Sequence, residues 1–325
     1  MIKGHGDDAY QYEGITIKSD FSSNVCIPSH GHQALMAHLA ACPHLLSHYP
    51  EPEAWSLERM LAERHGIDPR CVIVTAGATD AIYLIAQTFP YRSIVPAPTF
   101  SEYEDACQLF PGTDHERCAC WFCNPNNPTG EIFRLQVIGN ALKSYDLVVI
   151  DQSYEHYAAK PVMKPKAAIS HGKIVQIHSM TKTYAVPGLR LGYIVAPIRL
   201  AKALRRNLRP WSVSSLAIEA GKFLLQHDEL MVQPRLLEAQ QLRQRLLALG
   251  IEVQPTQTNF MLCRIEGHTA AQLKDYLVRE HGMLIRDASN FKGLDEGHFR
   301  VAAQTLSEND ALVAAIVKFL TIKNK

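Results

Sequence analysis

A chain of 325 residues, 47% hydrophobic and 20% charged, can bury a large core, and its length favours two domains over one. A formal net charge of +1 gives no global field to draw nucleic acid or an anionic membrane, so any anion site must be local. No apolar run approaches membrane-spanning length, and Met1-Ile2-Lys3-Gly4-His5-Gly6-Asp7-Asp8 lacks a signal-like apolar core, so a cytoplasmic protein with eight free cysteines is expected.

Cys118, Cys120 and Cys123 form a C-x-C-x-x-C cluster, but no second C-x-x-C completes four metal ligands. Cys118-Ala-Cys-Trp-Phe-Cys123 reads instead as a buried strand in which Cys acts as a small hydrophobe, and no metal is expected.

Residues before about Ser29 read as an irregular arm. Gln33 to Ala41 is a short predicted helix, His48-Tyr49-Pro50-Glu51-Pro52 a stiff extended connector, and Trp55 to His65 a helix stopped by Gly66. From Cys71 the rhythm becomes strand, turn, helix. Strands are expected at 71–75, 93–95, ending at 121–122, 147–150, 173–178 and 191–196. Helices are expected at 78–87, from Phe100 to about Leu109, and at 135–143. This alternation predicts an α/β fold with a mostly parallel sheet covered on both faces, its ligands beyond the carboxyl ends of the strands. Helices follow at 198–208, 214–226 and 229–249. A smaller α+β unit then takes a strand at 258–265, a helix at 270–281, a strand at 299–302 and a helix at 308–322. The expected division is a large domain over residues 33–226, and a small domain made of the arm 1–32 with residues 227–325.

The stretch Ser179-Met-Thr-Lys-Thr-Tyr-Ala-Val-Pro-Gly-Leu-Arg-Leu-Gly192 places Lys182 on a loop between two buried strands. A lysine amine held there is easier to keep neutral, and a neutral amine attacks an aldehyde. Ser179 and Arg190 suit a phosphate, by hydroxyl donation and by the guanidinium fork. Aldehyde and phosphate on one cofactor describe pyridoxal phosphate; the alternative is a solvated lysine beside an arginine. The turn Thr75-Ala-Gly-Ala-Thr-Asp80 puts the amides of Gly77, Ala78 and Thr79 at a helix N-terminus, a ready anion site or a simple turn. Phe100, after two prolines, is either a ring to lie on a pyridine or a core aromatic. In Cys123-Asn-Pro-Asn-Asn-Pro-Thr-Gly130 an Asn amide is positioned to donate to a phenolic oxygen. Asp151 ends an apolar run and needs a cation, which a protonated pyridine nitrogen provides.

The motifs N-P-x-N-P-T-G, D-x-x-Y and S-x-[ST]-K followed by G-x-R-x-G occur in order, and the chain resembles pyridoxal-phosphate enzymes of the aspartate-aminotransferase fold, fold type I. The resemblance implies that Lys182 binds the cofactor aldehyde, Asp151 pairs with the pyridine nitrogen, and Asn127 and Tyr154 contact the phenolic oxygen. It also implies that Phe100 stacks on the ring and that Gly77, Ala78, Thr79, Ser179 and Arg190 hold the phosphate. Tyr49 would reach in from the partner of a homodimer with shared active sites, and Arg300 would take the substrate carboxylate. Within the family the chain is similar to threonine-phosphate decarboxylases and histidinol-phosphate aminotransferases. His5-Gly-Asp-Asp, Asp20-Phe-Ser-Ser-Asn24 and Ile285-Arg-Asp-Ala-Ser-Asn-Phe291 with Gly293-Leu-Asp carry the decarboxylase likeness. Both subfamilies bind a substrate phosphate, which makes His5, Asn127 and Arg286 substrate candidates beside Arg300. The activity implied is decarboxylation of L-threonine O-3-phosphate, a step toward the cobalamin nucleotide loop, with amino transfer on histidinol phosphate as the alternative. A sensing domain of a transcription regulator would call for a helix-turn-helix and a basic patch, neither of which the sequence offers. Two departures stand out: Asp151-Gln-Ser-Tyr in place of Asp-Glu-Ala, and a shortened segment from Phe100 to Cys123.

Overall fold

The computed structural model describes residues 6–25, 31–112 and 114–323. The N-terminal segment carries one short strand, β1 (Ser19–Asp20). Two helices follow, α1 (Gly31–Ala40) and α2 (Trp55–His65). Then come β2 (Val72–Thr75), α3 (Ala78–Thr88), β3 (Tyr91–Ile94), α4 (Glu102–Leu109), β4 (Asp114–Cys123), α5 (Leu135–Ser144) and β5 (Leu147–Asp151). The run closes with α6 (Pro165–Ser170), β6 (Ile174–Ser179), α7 (Met180–Thr183), β7 (Gly192–Val195) and α8 (Ile198–Arg205).

These strands make a six-stranded sheet in the order β2-β7-β6-β5-β4-β3. β3 to β6 pair in parallel, and β7 runs antiparallel to both β2 and β6. The Val/Ile-rich central strands are buried along their whole length, the pattern of a sheet covered on both faces. On one face Ile73, Val149, Val175 and Ile177 pack with Ile82 and Ile85 of α3 and Leu200 and Leu204 of α8. On the other, Val72, Val74 and Val195 meet Leu57 and Leu61 of α2, and Val148, Ile150 and Ile174 meet Ile138 of α5. Because β2 to β6 all run one way, their carboxyl ends share one edge. Along β4 the cysteines divide between these faces, Cys120 with Ile138 and Cys123 with Val149, while the Cys118 thiol accepts from Arg92 Nη2 at 3.1 Å. Burial pushes the Cys120 and Cys123 thiols up to about 11 and about 12, as expected of small hydrophobes rather than reactive thiolates.

The helix expected over 229–249 is shorter than its pattern implied. After α9 (Ser215–Leu225) the chain makes a 3-10 turn at Asp228–Leu230, and α10 spans only Leu236–Ala248. Pro234 is the reason: its ring disfavours helical geometry at Gln233 and removes a backbone donor. A second sheet, β11-β12-β9-β8, is antiparallel throughout and uses β8 (Glu252–Val253), β9 (Phe260–Arg264), β11 (Arg286–Asp287) and β12 (His298–Ala302). Around it lie α11 (Ala270–Tyr276), with a π-turn to His281, β10 (Met283–Leu284) and α12 (Leu306–Lys323). The N-terminal segment fastens here. β1 pairs with β10 in parallel, and the fully buried Phe21 joins the core of Leu242, Met261, Phe299 and Ile316. Burying such a ring stabilises by about 1.5–3 kcal/mol. Asp8 and Lys274 form a buried ion pair at 2.5 Å that pins the start of the segment to α11.

Candidate active site

At the carboxyl edge of the first sheet, a cavity of about 320 Å³ opens between the two sheets. Its wall brings together Ala78, Thr79, Phe100, Asn127, Asp151, Tyr154, Ser179, Lys182, Arg190, Arg286 and Arg300, eleven of the sequence candidates. Gly77 lies directly behind it, as the N-cap of α3 at φ +90°. A Cβ there would meet Arg190 Nη2 at 2.9 Å, so only glycine lets the guanidinium lie against the start of α3. Tyr49 is elsewhere: its side chain is 88% exposed, beside Trp211. His5 lies outside the described residues.

Lys182 sits on α7, one helical turn immediately after β6, where a loop was expected. Ser179 begins that turn and its Oγ pairs with Thr181 Oγ1 at 2.7 Å. Burial, with Arg300 and Arg190 nearby, lowers the Lys182 amine from its ordinary 10.5 to about 8. Its Nζ donates to the Ser23 carbonyl at 3.4 Å and lies 5.8 Å from the Tyr154 ring centre. A readily deprotonated amine beside a phosphate-binding corner is the chemistry that attack on an aldehyde requires.

Asp151 ends β5 in the wall of the cavity and is 4% exposed. Among the described residues it accepts from neutral donors, Tyr103 Oη at 2.8 Å and the Ser153 amide at 2.8 Å. Burial raises its pKa against those hydrogen bonds, so a cation at this carboxylate would be strongly favoured. Tyr154 is likewise buried, its phenol pushed up to about 12, and accepts from Asn24 Nδ2 at 3.4 Å.

The loop after β4 is fixed by its own turn. Asn126 bonds Thr99 and Thr129, and Gly130, at φ +72°, packs so closely on Thr256 and Thr258 that a Cβ would meet Thr256 Oγ1 at 2.1 Å. This leaves Asn127 facing Arg300, which donates Nη1 to Asn127 Oδ1 and Nη2 to the Ser22 carbonyl; its buried Nε has no partner among the described residues. Arg286 and Arg300 are directly opposed on β11 and β12. Burial, then Arg300, lowers Arg286 to about 10, and burial also lowers Arg300. Arg286 donates to the Asp287 carbonyl and to Asn290 Oδ1 at 2.7 Å, over the Phe291 ring.

These residues fit pyridoxal phosphate: hydroxyls, helix-start amides and Arg190 for the phosphate, Asp151 for a protonated ring nitrogen, Lys182 for the aldehyde. Sequence reasoning missed Gly6, Asp7, Ser23, Tyr103 and Asn290, which also line the cavity. Tyr103 was legible in principle, three residues after Phe100 on the helix facing Asp151. Asp7 was not, because nothing in an irregular arm says where it docks.

The family model for class I and II aminotransferases matches residues 111–316. A threonine-phosphate decarboxylase of Salmonella typhimurium is 30% identical over 338 residues, covering 93% of this chain and 91% of the relative. A histidinol-phosphate aminotransferase of Thermoanaerobacter sp. is 26% identical, covering 84% of each chain. Among solved structures, L-threonine-O-3-phosphate decarboxylase from Porphyromonas gingivalis superposes with a TM-score of 0.85 at 37% identity, over 93% of this chain and 99% of that one.

Proposed function

The chain belongs to the class I and II aminotransferase family and is a pyridoxal-phosphate enzyme, and on that premise we propose that it decarboxylates L-threonine O-3-phosphate to an aminopropanol phosphate. The observation that carries this reading is the opposed pair Arg286 and Arg300 in one cavity. Two desolvated guanidiniums in one cavity wall suit a substrate with two anionic groups, and threonine phosphate brings a carboxylate and a phosphate. The names of the relatives support the same substrate.

The cofactor, when bound, supplies an electron sink for a bond at the substrate Cα. Asp151 would pair with its ring nitrogen and keep that nitrogen protonated. Asn127 and Tyr154 would serve its phenolic oxygen, Phe100 its ring, and Ser179, Arg190 and the amides after Gly77 its phosphate. Arg300 grips the substrate carboxylate and sets which bond at Cα is weakened, while Arg286 holds the substrate phosphate. Lys182 Nζ would hold the cofactor aldehyde, and Lys182 or a water would deliver the proton that replaces carbon dioxide at the substrate Cα. The working unit in this reading is a homodimer in which Tyr49 serves the partner's cavity, consistent with its 88% exposure. Among the described residues no helix is long and apolar enough to cross a membrane.

Product analysis with threonine phosphate tests the reading. Carbon dioxide released without a keto acid is the expected result; a keto acid formed in step with an acceptor would make the enzyme an aminotransferase. Lys182→Ala should abolish both turnover and the borohydride-reducible bond between protein and cofactor, and a reducible bond that survives would reject the lysine.

A further inference from the structure

A second cavity, of about 440 Å³, shares only Ser179 with the first. That volume suits a small-molecule ligand. Its wall holds a single carboxylate, Glu155, against the basic side chains of Arg64, His65, His156, Lys164, Lys166 and His178. Arg64 is already paired with Asp228, outside the wall. Glu155 is engaged as well: its Oε1 lies 2.8 Å from His178 Nδ1 and 3.7 Å from His156 Nε2. Neither Lys164 nor Lys166 has an ion-pair partner among the described residues. The wall therefore has cationic groups to spare.

His178 supplies the second observation. It is 1% exposed, its ring is stacked flat on Tyr193 at 4.6 Å, and its buried Nε2 has no hydrogen-bond partner among the described residues. A buried polar atom left unmatched in a cavity wall marks a place where a ligand completes the set. With Nδ1 directed at the Glu155 carboxylate, Nε2 accepts a hydrogen bond, or donates one after gaining a proton. We propose that this cavity binds a small oxyanion of the phosphate or phosphate-monoester class, held by Lys164 and Lys166 at its mouth and by His156, His65 and His178 within. A monohydrogen phosphate carries acceptor oxygens for the cations and an O–H for a neutral imidazole nitrogen, so it satisfies either state of His178.

The proposal carries a pH signature. Burial, and after it the neighbouring His178, holds His65 down to about 4, and burial also lowers His156. Facing them are Glu155, Arg64 with its partner Asp228, and the phenols of Tyr184 and Tyr193. An added anion favours the charged form of these imidazoles, so its arrival should raise the pKa values of His65 and His156. The same wall includes Ser179, Met180 and Thr183, so the ligand would rest against the helical turn that bears Lys182.

The test is calorimetric titration of inorganic phosphate into cofactor-loaded Arg286→Ala enzyme, in which the cofactor's own phosphate corner is filled and the substrate's is disabled. One phosphate per chain should bind, raising the imidazole pKa values of His65 and His156 as followed by NMR. Adding Lys164→Ala, Lys166→Ala and His156→Ala should weaken it by about tenfold or more, as loss of charge-assisted contacts implies. No binding to the Arg286→Ala enzyme, or an affinity that ignores the triple replacement, overturns the site. If Arg286→Ala does not hold cofactor, the comparison is made in otherwise wild-type enzyme. There the triple replacement should remove one of two bound phosphates, and an unchanged stoichiometry and affinity overturns the site equally.

Discussion

Arg300 bridges the two sheets: from β12 it reaches Asn127, in the loop after β4, and the carbonyl of Ser22 in the N-terminal segment. One guanidinium thus ties together three stretches that are distant in sequence, and it keeps Nε uncommitted. Replacement by lysine preserves charge but not the planar fork, so a bound carboxylate would lose a bidentate partner in a dehydrated site. The Arg300→Lys enzyme should lose transition-state stabilisation of about 2–5 kcal/mol, read from kcat/KM, with the absorbance of bound cofactor unchanged. A full kcat/KM, or loss of the cofactor, would remove Arg300 from the substrate side.

Why so much of this site was legible, and some not, follows from the physics of each part. The parallel strands announce themselves as short Val/Ile runs, and everything just beyond their carboxyl ends shares an edge, so position added to the motifs that singled out Asp151, Asn127 and Lys182. Their surroundings were not so marked. Lys182 was expected on a loop because it falls between two strand-like runs, yet four residues suffice for a helical turn after β6. The N-terminal segment has no period, and its docking depends on two-residue pairings, β1 with β10, and on the Asp8–Lys274 pair across 266 positions. β11 is equally short, and its placement of Arg286 opposite Arg300 is a register fact no local pattern encodes.

The depressed amine of Lys182 gives a pH prediction. Its pKa is about 8 in the fold against an ordinary 10.5, so between those values the unfolded chain holds more protons than the folded one. Stability of the apoprotein should therefore rise with pH across that window relative to Lys182→Met, and the whole penalty stands below about pH 8. For this partly buried amine it is on the order of 2–3 kcal/mol. Thermal unfolding of both apoproteins at pH 7 and pH 10 should show the variant ahead at pH 7 and the gap shrinking at pH 10. The rate of cofactor attachment to wild-type apoprotein should level off above about pH 8; a rise continuing to 10.5 would mean an ordinary lysine.

Tyr49 and Trp211 stand on the surface with rings 6.1 Å apart, near the exposed Met36 and Leu46 in sequence. Two exposed aromatic rings side by side fit the contact surface proposed here. If Tyr49 serves a neighbouring cavity, Tyr49→Ala and Lys182→Ala, each crippled alone, should regain activity when mixed and refolded, because a hybrid holds one site with both residues. Mixtures no more active than their components, or a fully active monomer by sedimentation, would reject the shared site.

Arg286 separates phosphate recognition from cofactor binding. It lies on β11 against Arg300, burial and that neighbour lowering its pKa to about 10, with Asn290 and Phe291 fixing its plane. The corner proposed for the cofactor's phosphate is built from other groups, Ser179 and Arg190 beside the start of α3. A dianion brought to Arg286 relieves the repulsion between the two arginines, a gain that an unphosphorylated substrate cannot provide. Arg286→Ala should therefore lower kcat/KM for threonine phosphate by about 2–5 kcal/mol while leaving the slow turnover of plain threonine and the affinity for cofactor nearly unchanged. His5→Ala, outside the described residues, should act in the same direction and more weakly if the arm also meets the phosphate. Equal losses on the two substrates would assign Arg286 to the carboxylate or to the fold, and a collapse in cofactor affinity would assign it to the cofactor's phosphate.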